Sequence, residues 1–398
     1  MIKEKSLKKN SFYSILKAIA TLIFPIITFP YASRILMPDG IGKVNFANSI
    51  VSYFTMLAGL GLGTYGTREV SEARNNEIKL SKIVKELLVI NIISTIISYS
   101  FFLISIVFIK KLILYRPLLL ISSINIIFST LGIEWYYRGT EEFRYITFHS
   151  FCFQLVALAF LFIFVHKKED TIQYLLFGII SSVGSNALNI IHARKIIFAP
   201  SDKLNIKRHI KPILIFFGIA ISVSIYTMLD TSMVGFLAND KEVGYYVAAN
   251  KLNRMVISII VAAISILLPR LSFYHKQNDI EKFLNLANKS LRYIFIVSIP
   301  CAVGLYMLGK PTIILFSGTE YLPAVSSMKI MTPNVFNISL GVFINVHILV
   351  SIKKKNWIDS NSNRSRCQFY IKSFVNSKIW SKRSCCWNRY CRDMYYIF

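Results

Sequence analysis

The chain has 398 residues, 54% of them hydrophobic and only 17% charged, with a mean hydropathy of +0.51. Soluble domains carry about 25% charged residues. The composition therefore excludes a string of water-soluble domains and indicates a polytopic membrane protein, which the long apolar runs below make all-α. Its 46 Lys and Arg against 20 Asp and Glu give a net charge of +26, which alone would suit nucleic acid. The charges lie in short clusters between apolar runs, as loops beside an anionic leaflet do, so the expected partners are membrane lipids and no nucleic acid.

The amino terminus carries Lys3, Lys5, Lys8 and Lys9 but no small-residue cleavage site before a short apolar core. It reads as a lead-in to a retained helix. A helix needs about 20 apolar residues to cross hydrocarbon. Ten such runs follow: 12–33, 43–66, 83–109, 112–133, 146–165, 171–192, 211–238, 243–269, 291–317 and 323–350. Prolines within them, such as Pro25 and Pro30, are tolerated because neighbouring helices satisfy the freed backbone. Lys and Arg number 22 in the amino terminus and the loops after even-numbered runs, against 9 in the alternate loops. That bias predicts a multi-pass protein with its N-terminus in the cytoplasm.

The chain also repeats itself. Gly42-Lys-Val-Asn-Phe-Ala-Asn48 and Gly244-Tyr-Tyr-Val-Ala-Ala-Asn250 stand 202 residues apart, and the preceding RILMPDGIG and VGFLANDKEVG align with one gap. Internal repeats are common in transporters. They predict a six-helix bundle over 1–200 and a second bundle over 201–350 that holds four helices. The same offset places two further apolar helices at 348–367 and 373–394, yet Lys353–Phe398 holds 11 Lys and Arg, 2 Asp and Cys367, Cys385, Cys386 and Cys391. A zinc site needs paired ligands at short spacing, and this stretch has neither CxxC nor His. A basic tail against lipid or nucleic acid is a second reading. The third is a change of frame, since codon degeneracy permits a membrane-like string when the tail is read one base later. The expectation is a frameshift near residue 352, an aberrant tail over 351–398 and an incomplete second bundle that transports poorly or not at all.

The stretches YASRILMPDGIGKVNFANSIVSYF (31–54), GTYGTREVSEARN (63–75) and LGIEWYYRGTEEFRYIT (131–147) resemble bacterial O-antigen and capsule repeat-unit flippases. These are polysaccharide-biosynthesis transporters of the multidrug/oligosaccharidyl-lipid/polysaccharide exporter superfamily. VGYYVAANKLNRMV (243–256), LLPRLSFY (267–274), SIPCAVGLYML (298–308) and LFSGTEYLPAV (315–325) extend the resemblance over about residues 10–350. It implies two pseudo-repeated, MATE-like helix bundles around a central cavity. It also implies transfer of undecaprenyl-pyrophosphate-linked oligosaccharide across the bacterial inner membrane, beside other polysaccharide-assembly membrane proteins.

A flippase must shelter an anionic headgroup across about 30 Å of hydrocarbon. Cations and amides inside helices are the natural lining, because a buried diphosphate needs opposing charge and donors. The candidates are Lys17, Arg34, Lys43, Asn45, Asn48, Asp230, Asn250, Lys251 and Arg254. Asn48 and Asn250 are repeat equivalents. Val247, Asn250, Lys251 and Arg254 share one helical face, which is expected to avoid lipid. Asp230 reads equally well as a structural counter-ion of Lys251 or Arg254, and less well as a proton or sodium coupling site, since no second acid is near. Arg34 and Lys43 sit near helix ends, where charge snorkels to headgroups.

Other patterns carry less. Gly61-Leu-Gly63-Thr-Tyr-Gly66 ends an apolar run instead of joining a strand to a helix, so close helix packing is the better reading than a dinucleotide site. Glu134, Glu141 and Glu142 flank Trp135, Tyr136 and Tyr137 at a membrane boundary, which suggests an aromatic belt more than paired acids. Cys152 and Cys301 read as apolar fillers. The six His are scattered, and neither a cofactor, a metal site nor a catalytic constellation is expected. The alternatives to a flippase are a small-molecule exporter of the same fold and a membrane polysaccharide polymerase, which would favour longer outer loops.

Overall fold

The computed structural model describes residues 7–200, 203–265 and 279–351, with Leu271, Tyr274 and Gln277 between the last two ranges. The basic tail and the expected frame change lie outside the described residues. The amino-terminal helices are α1 (Leu7–Gly59), α2 (Leu62–Ala73), α3 (Glu77–Phe108), α4 (Lys110–Ile113), α5 (Arg116–Ser122), α6 (Ile124–Leu131), α7 (Glu134–Gly139), α8 (Phe143–Phe164) and α9 (Thr171–Phe198). They are followed by α10 (Lys207–Leu237), α11 (Asp240–Ser265), α12 (Ile280–Met307), α13 (Gly309–Ser317), a 3-10 turn at Thr319–Tyr321, α14 (Ala324–Met331) and α15 (Pro333–Ser351). Among the described residues there is no strand.

Six helical stretches are long and apolar enough to cross a membrane: Ile19–Ala73, Glu77–Phe108, Arg116–Gly139, Phe143–Phe164, Thr171–Phe198 and Glu281–Met307. The first has 55 residues. At about 1.5 Å per residue it is more than twice the ~30 Å of a hydrocarbon core. The sequence places a connection between its two apolar runs, but α1 is helical throughout except at Met37, whose φ is 60° and ψ 175°. Pro38 then begins the second arm, where its preset φ suits a first helical residue and its missing N–H removes no helix bond. The arms fold back on each other. Lys17 on the first arm meets Glu134, and Gly66, just beyond the second, meets Trp135. The last two predicted spans are each divided, into α12 with α13 and α14 with α15, and Pro311 and Pro333 stand in the first turns of the restarted helices.

Helix α3 shows which solvent the fold is built for. Asn91, Ser94, Thr95 and Ser98 are buried, while Ile92, Ile93, Ile96, Ile97 and Phe101 are exposed. In water that pattern would be reversed. Ser94 and Ser98 donate to the carbonyls of Ala58 and Phe54 at 2.6 and 2.7 Å, and Thr95 to Thr130 at 2.9 Å. Small polar residues thus hold α3 against α1 and α6 at close range, as membrane helices require when lipid supplies no hydrophobic drive between them.

The described residues divide into two compact units, one running to Ala248 and taking in Pro311–Pro323, the other formed by Ala249–Lys310 and the residues from Ala324 on. The first has an apolar core of Leu62, Tyr65, Val84, Leu87, Trp135 and Tyr137 with neighbours from α9 and α10. Trp135 is 5% exposed and Tyr137 fully buried, which corrects the expected lipid-facing belt. Short α7 is tucked against α2, where a Cβ on Gly66 would lie 2.9 Å from the Trp135 ring, and the Tyr137 hydroxyl donates to the Asn189 carbonyl at 2.7 Å. Gly61, at φ 71°, lets the chain turn against the Phe216 backbone, so the glycine pattern does serve close packing. In the second unit Ile257, Ile260, Ile294 and Val335 form a core between α11, α12 and α15.

Candidate functional site

Asn45, Asn48, Ser52, Thr55 and Gly59 recur at three- and four-residue spacing along the second arm of α1 and so share a face. Opposite stand α6 and α9, and between them is a cleft of about 310 Å³ lined by Asn48, Ser52, Thr55, Asn125 and Ser129 over a wall of Val51, Leu175 and Ile179. A neighbouring cleft of about 340 Å³ shares Ser52 and Thr55 and continues past Gly59, Gly61 and Gly63 to Ala220 and Met228 of α10. The first unit therefore carries a polar track from Asn48 to Thr55 on this arm of α1, which runs into a second cleft lined mostly by Gly, Ala and Met.

Two serines set the amides in this track. Ser122 donates to Asn48 Oδ1 at 2.9 Å, and Ser182 donates to Asn125 Oδ1 at 2.7 Å. With its oxygen engaged, each amide leaves its Nδ2 group without a hydrogen-bond partner among the described residues. The Ser52 and Thr55 hydroxyls donate to the carbonyls of Asn48 and Val51 at 2.7 and 3.0 Å. Asn45 turns back to the Ile41 carbonyl at 2.8 Å.

The charged candidates have protein partners. Lys17 pairs with Glu134 at 2.5 Å, and Glu134 also takes Arg138 at 2.9 Å. Lys43 pairs with Asp39 at 2.7 Å, one turn back on its own helix. The Arg34 guanidinium donates to the Leu315 carbonyl at 2.6 Å. Asp230 accepts from the Tyr246 hydroxyl at 2.8 Å, and Tyr53 shares a 2.8 Å hydrogen bond with Ser232 one half-turn on. With Asn45 and Asn48 these four make six candidates in the first unit, and the other three are in the second. There Arg254 is exposed and donates to Asn250 Oδ1 at 3.3 Å, while Lys251 is half-buried. Glu141, from the set-aside acid pattern, pairs with Arg74. Among the described residues no group of three His, Cys, Asp or Glu is placed to hold a metal.

The two segments that the sequence aligns touch each other. A Cβ on Gly42 would lie 1.8 Å from the Asp240 carbonyl oxygen and 3.1 Å from the Gly244 amide. One on Gly244 would lie 2.0 Å from the Pro38 carbonyl oxygen. Repeat-equivalent glycines thus face each other where the chain leaves Met37 and where α11 begins. Around this crossing Tyr115 donates to Asp240 at 2.5 Å, and Lys111 donates to the Phe236 and Ala238 carbonyls at 3.1 Å each. In the loop after α8, Asp170 accepts the His166 and Lys167 amides at 2.9 and 2.8 Å. Those backbone donors hold its carboxyl below the usual range.

Sequence reasoning missed one charged cluster entirely. Glu86 on α3 is fully buried and accepts Arg208 Nη2 at 2.6 Å, the Asn205 amide at 2.6 Å and His209 Nε2 at 2.8 Å. His209 in turn meets the Tyr65 hydroxyl at 2.6 Å. Both carboxylate oxygens are engaged, Oε1 once and Oε2 twice, which is what makes such burial tolerable. The available signal was a lone Glu next to Lys85 within the first turn of the apolar run 83–109.

The sequence profile of the family described as polysaccharide biosynthesis protein matches residues 7–275. A candidate O-antigen transporter of Shigella dysenteriae is 26% identical over 318 residues, covering 79% of each chain. A second candidate O-antigen transporter, from Escherichia coli strain K12, is 23% identical over 353 residues, covering 87% of this chain and 84% of that one. Among solved structures, a multidrug resistance MATE family transporter of the MOP superfamily, in an inward-facing conformation, superposes with a TM-score of 0.51. It covers 96% of this chain and 98% of its own at 12% identity, which speaks for the fold alone.

Proposed function

Because the chain belongs to the polysaccharide biosynthesis protein family, we propose that it is a flippase for undecaprenyl-pyrophosphate-linked O-antigen or capsular oligosaccharide units. The observation that carries this reading is the extent of the likeness: relatives named for O-antigen transport align over 79% and 87% of the chain. The polar track in the first unit supports it, since a glycan headgroup needs a hydrogen-bonding path while its lipid tail stays in hydrocarbon. The two bundles, 1–200 and 201–350, work by alternating access, opening first to the cytoplasm and then to the opposite face of the inner membrane. The Lys and Arg bias of 22 against 9 supports a cytoplasmic N-terminus. The crossing at Gly42 and Gly244 acts as a gate between states, and Asp230 is the place for a coupling proton or sodium ion. No covalent chemistry is assigned to the chain.

The test is leaflet transfer in reconstituted vesicles loaded with lipid-linked oligosaccharide, read by the fraction of glycan that an external oxidant reaches. Protein-dependent transfer is expected, slow because the basic stretch after residue 352 stands where the repeat calls for two apolar helices, and accelerated by a proton or sodium gradient. Efflux of an organic cation without glycan transfer would replace the reading by a small-molecule exporter, and growth of the glycan chain would replace it by a polymerase.

A further inference from the structure

We infer that the cleft between the second arm of α1, α6 and α9 is a subsite for an uncharged sugar ring, and that the diphosphate is not held in it. The inference rests on the flippase reading above and adds which part of the substrate the first unit recognises. Among the described residues that line the cleft, none is charged. What the cleft offers is a pattern of donors and acceptors. Asn48 and Asn125, their oxygens engaged by Ser122 and Ser182, turn amide N–H groups toward the space. Ser52 and Thr55 have donated their hydrogens to helix carbonyls and present lone pairs.

That pattern separates the two halves of a lipid-linked oligosaccharide. A sugar hydroxyl donates and accepts at once, so it can take an amide N–H on one side and give its hydrogen to Ser52 or Thr55 on the other. A diphosphate oxygen only accepts. It would meet the lone pairs of Ser52 and Thr55 with no cation in the lining to offset the repulsion, and desolvating it there is costly. The wall of Val51, Leu175 and Ile179 gives the C–H face of a pyranose an apolar surface. The volume of about 310 Å³ is at the small end of the ~300–1,000 Å³ found for ligand pockets. Because polar groups held in fixed directions discriminate strongly against a ligand that leaves them unpaired, this is where hydroxyl stereochemistry is read.

The experiment is saturation-transfer NMR on the purified full chain in detergent. The probes are methyl glycosides of glucose, galactose, rhamnose and N-acetylglucosamine, with inorganic pyrophosphate as competitor. At least one glycoside is expected to receive saturation, to lose it about tenfold in Asn125→Leu and by a smaller factor in Ser129→Ala, and to keep it in millimolar pyrophosphate. Absence of transfer to every glycoside, equal transfer in both variants, or displacement by pyrophosphate would overturn the inference. Vesicle transfer by the wild-type chain separates the two proposals. Glycoside binding with no leaflet transfer, even by a copy in which the two apolar helices after residue 352 are restored, refutes the flippase reading and leaves the subsite. Leaflet transfer by the wild-type chain with no glycoside contact, or glycoside contact left unchanged by Asn125→Leu, refutes the subsite and leaves the flippase.

Discussion

Adding one carbon at the repeat contact has a calculable effect. In Gly42→Ala the new Cβ would stand 1.8 Å from the Asp240 carbonyl oxygen, and in Gly244→Ala 2.0 Å from the Pro38 carbonyl oxygen. Ordinary contact begins near 3.4 Å, so either substitution forces the second arm of α1 and the start of α11 apart by about 1.5 Å. The obstacles are backbone atoms, which cannot rotate away. Overpacking of this kind costs about 1–3 kcal/mol, here at the top of that range. Replacing a helix-interior glycine returns about 1 kcal/mol, leaving a net destabilisation of about 2 kcal/mol for each variant. Both variants relieve the clash by the same displacement, so the double variant is expected to cost roughly 1 kcal/mol less than the sum. Gly218→Ala, with no atom within 4 Å of its Cβ, is the control and is expected to be stabilised by about 0.5–1 kcal/mol. Denaturant unfolding in micelles, followed by fluorescence, reads all four. Single variants within about 0.5 kcal/mol of wild type, or strict additivity in the double, would refute the contact and the geometry of the repeat built on it.

Other outcomes follow from the charged groups. Glu86→Leu leaves the Asn205 amide, Arg208 and His209 without their acceptor and is expected to cost about 3 kcal/mol, the lower end for breaking a buried pair because Arg208 is 38% exposed. Protease cleavage near residues 199–206 would rise in parallel, and unchanged cleavage would show that the cluster does not anchor this segment. Lys17→Glu is expected to lower stability by about 1 kcal/mol and Glu134→Lys by more, since it also sets a cation beside Arg138, with the double swap recovering only the Lys17 part; strict additivity in the double would mean that the partly exposed Lys17–Glu134 pair contributes nothing. Asp170 has a depressed carboxyl pKa, so its contribution is present above the unfolded value of about 3.9 and fades as pH falls below it. Asp170→Ala should therefore lower the thermal midpoint at neutral pH and leave it unchanged near pH 2, and an equal loss at both would point to shape rather than charge.

The membrane class and the approximate helices were legible because burial in lipid imposes long apolar runs, which survive any arrangement of the bundle. The sequence also singled out Gly42 and Gly244 by aligning their segments, and each proves to leave no room for a Cβ against the other's segment. Met37 was not legible as a one-residue joint, since Arg34, Asp39 and Lys43 look like an ordinary polar connection. Trp135 and Tyr137 misled because a belt and a buried core ask for the same amphipathic rings, and only packing against α2 and α9 distinguishes them. Of the candidate site residues, Asn48 was found through its repeat partner. Ser52, Thr55, Asn125 and Ser129 went unnoticed because a search for intramembrane charge passes over hydroxyls and amides. The partners of Glu86 and Lys17 lie 122 and 117 residues away, and no local pattern encodes such distances.

The joint at Met37 binds two surfaces that answer to different surroundings. The first arm of α1 exposes Ile23, Ile26 and Ile27, while the second arm forms one side of the polar cleft. Consecutive Cα atoms are 3.80 Å apart, and a single non-helical residue leaves no slack between the arms. Where the first arm ends therefore fixes where the second begins, to within a few Å, with no loop to take up a shift along the chain. For the same reason a tag or epitope inserted after Met37 would unbolt a lever instead of lengthening a loop.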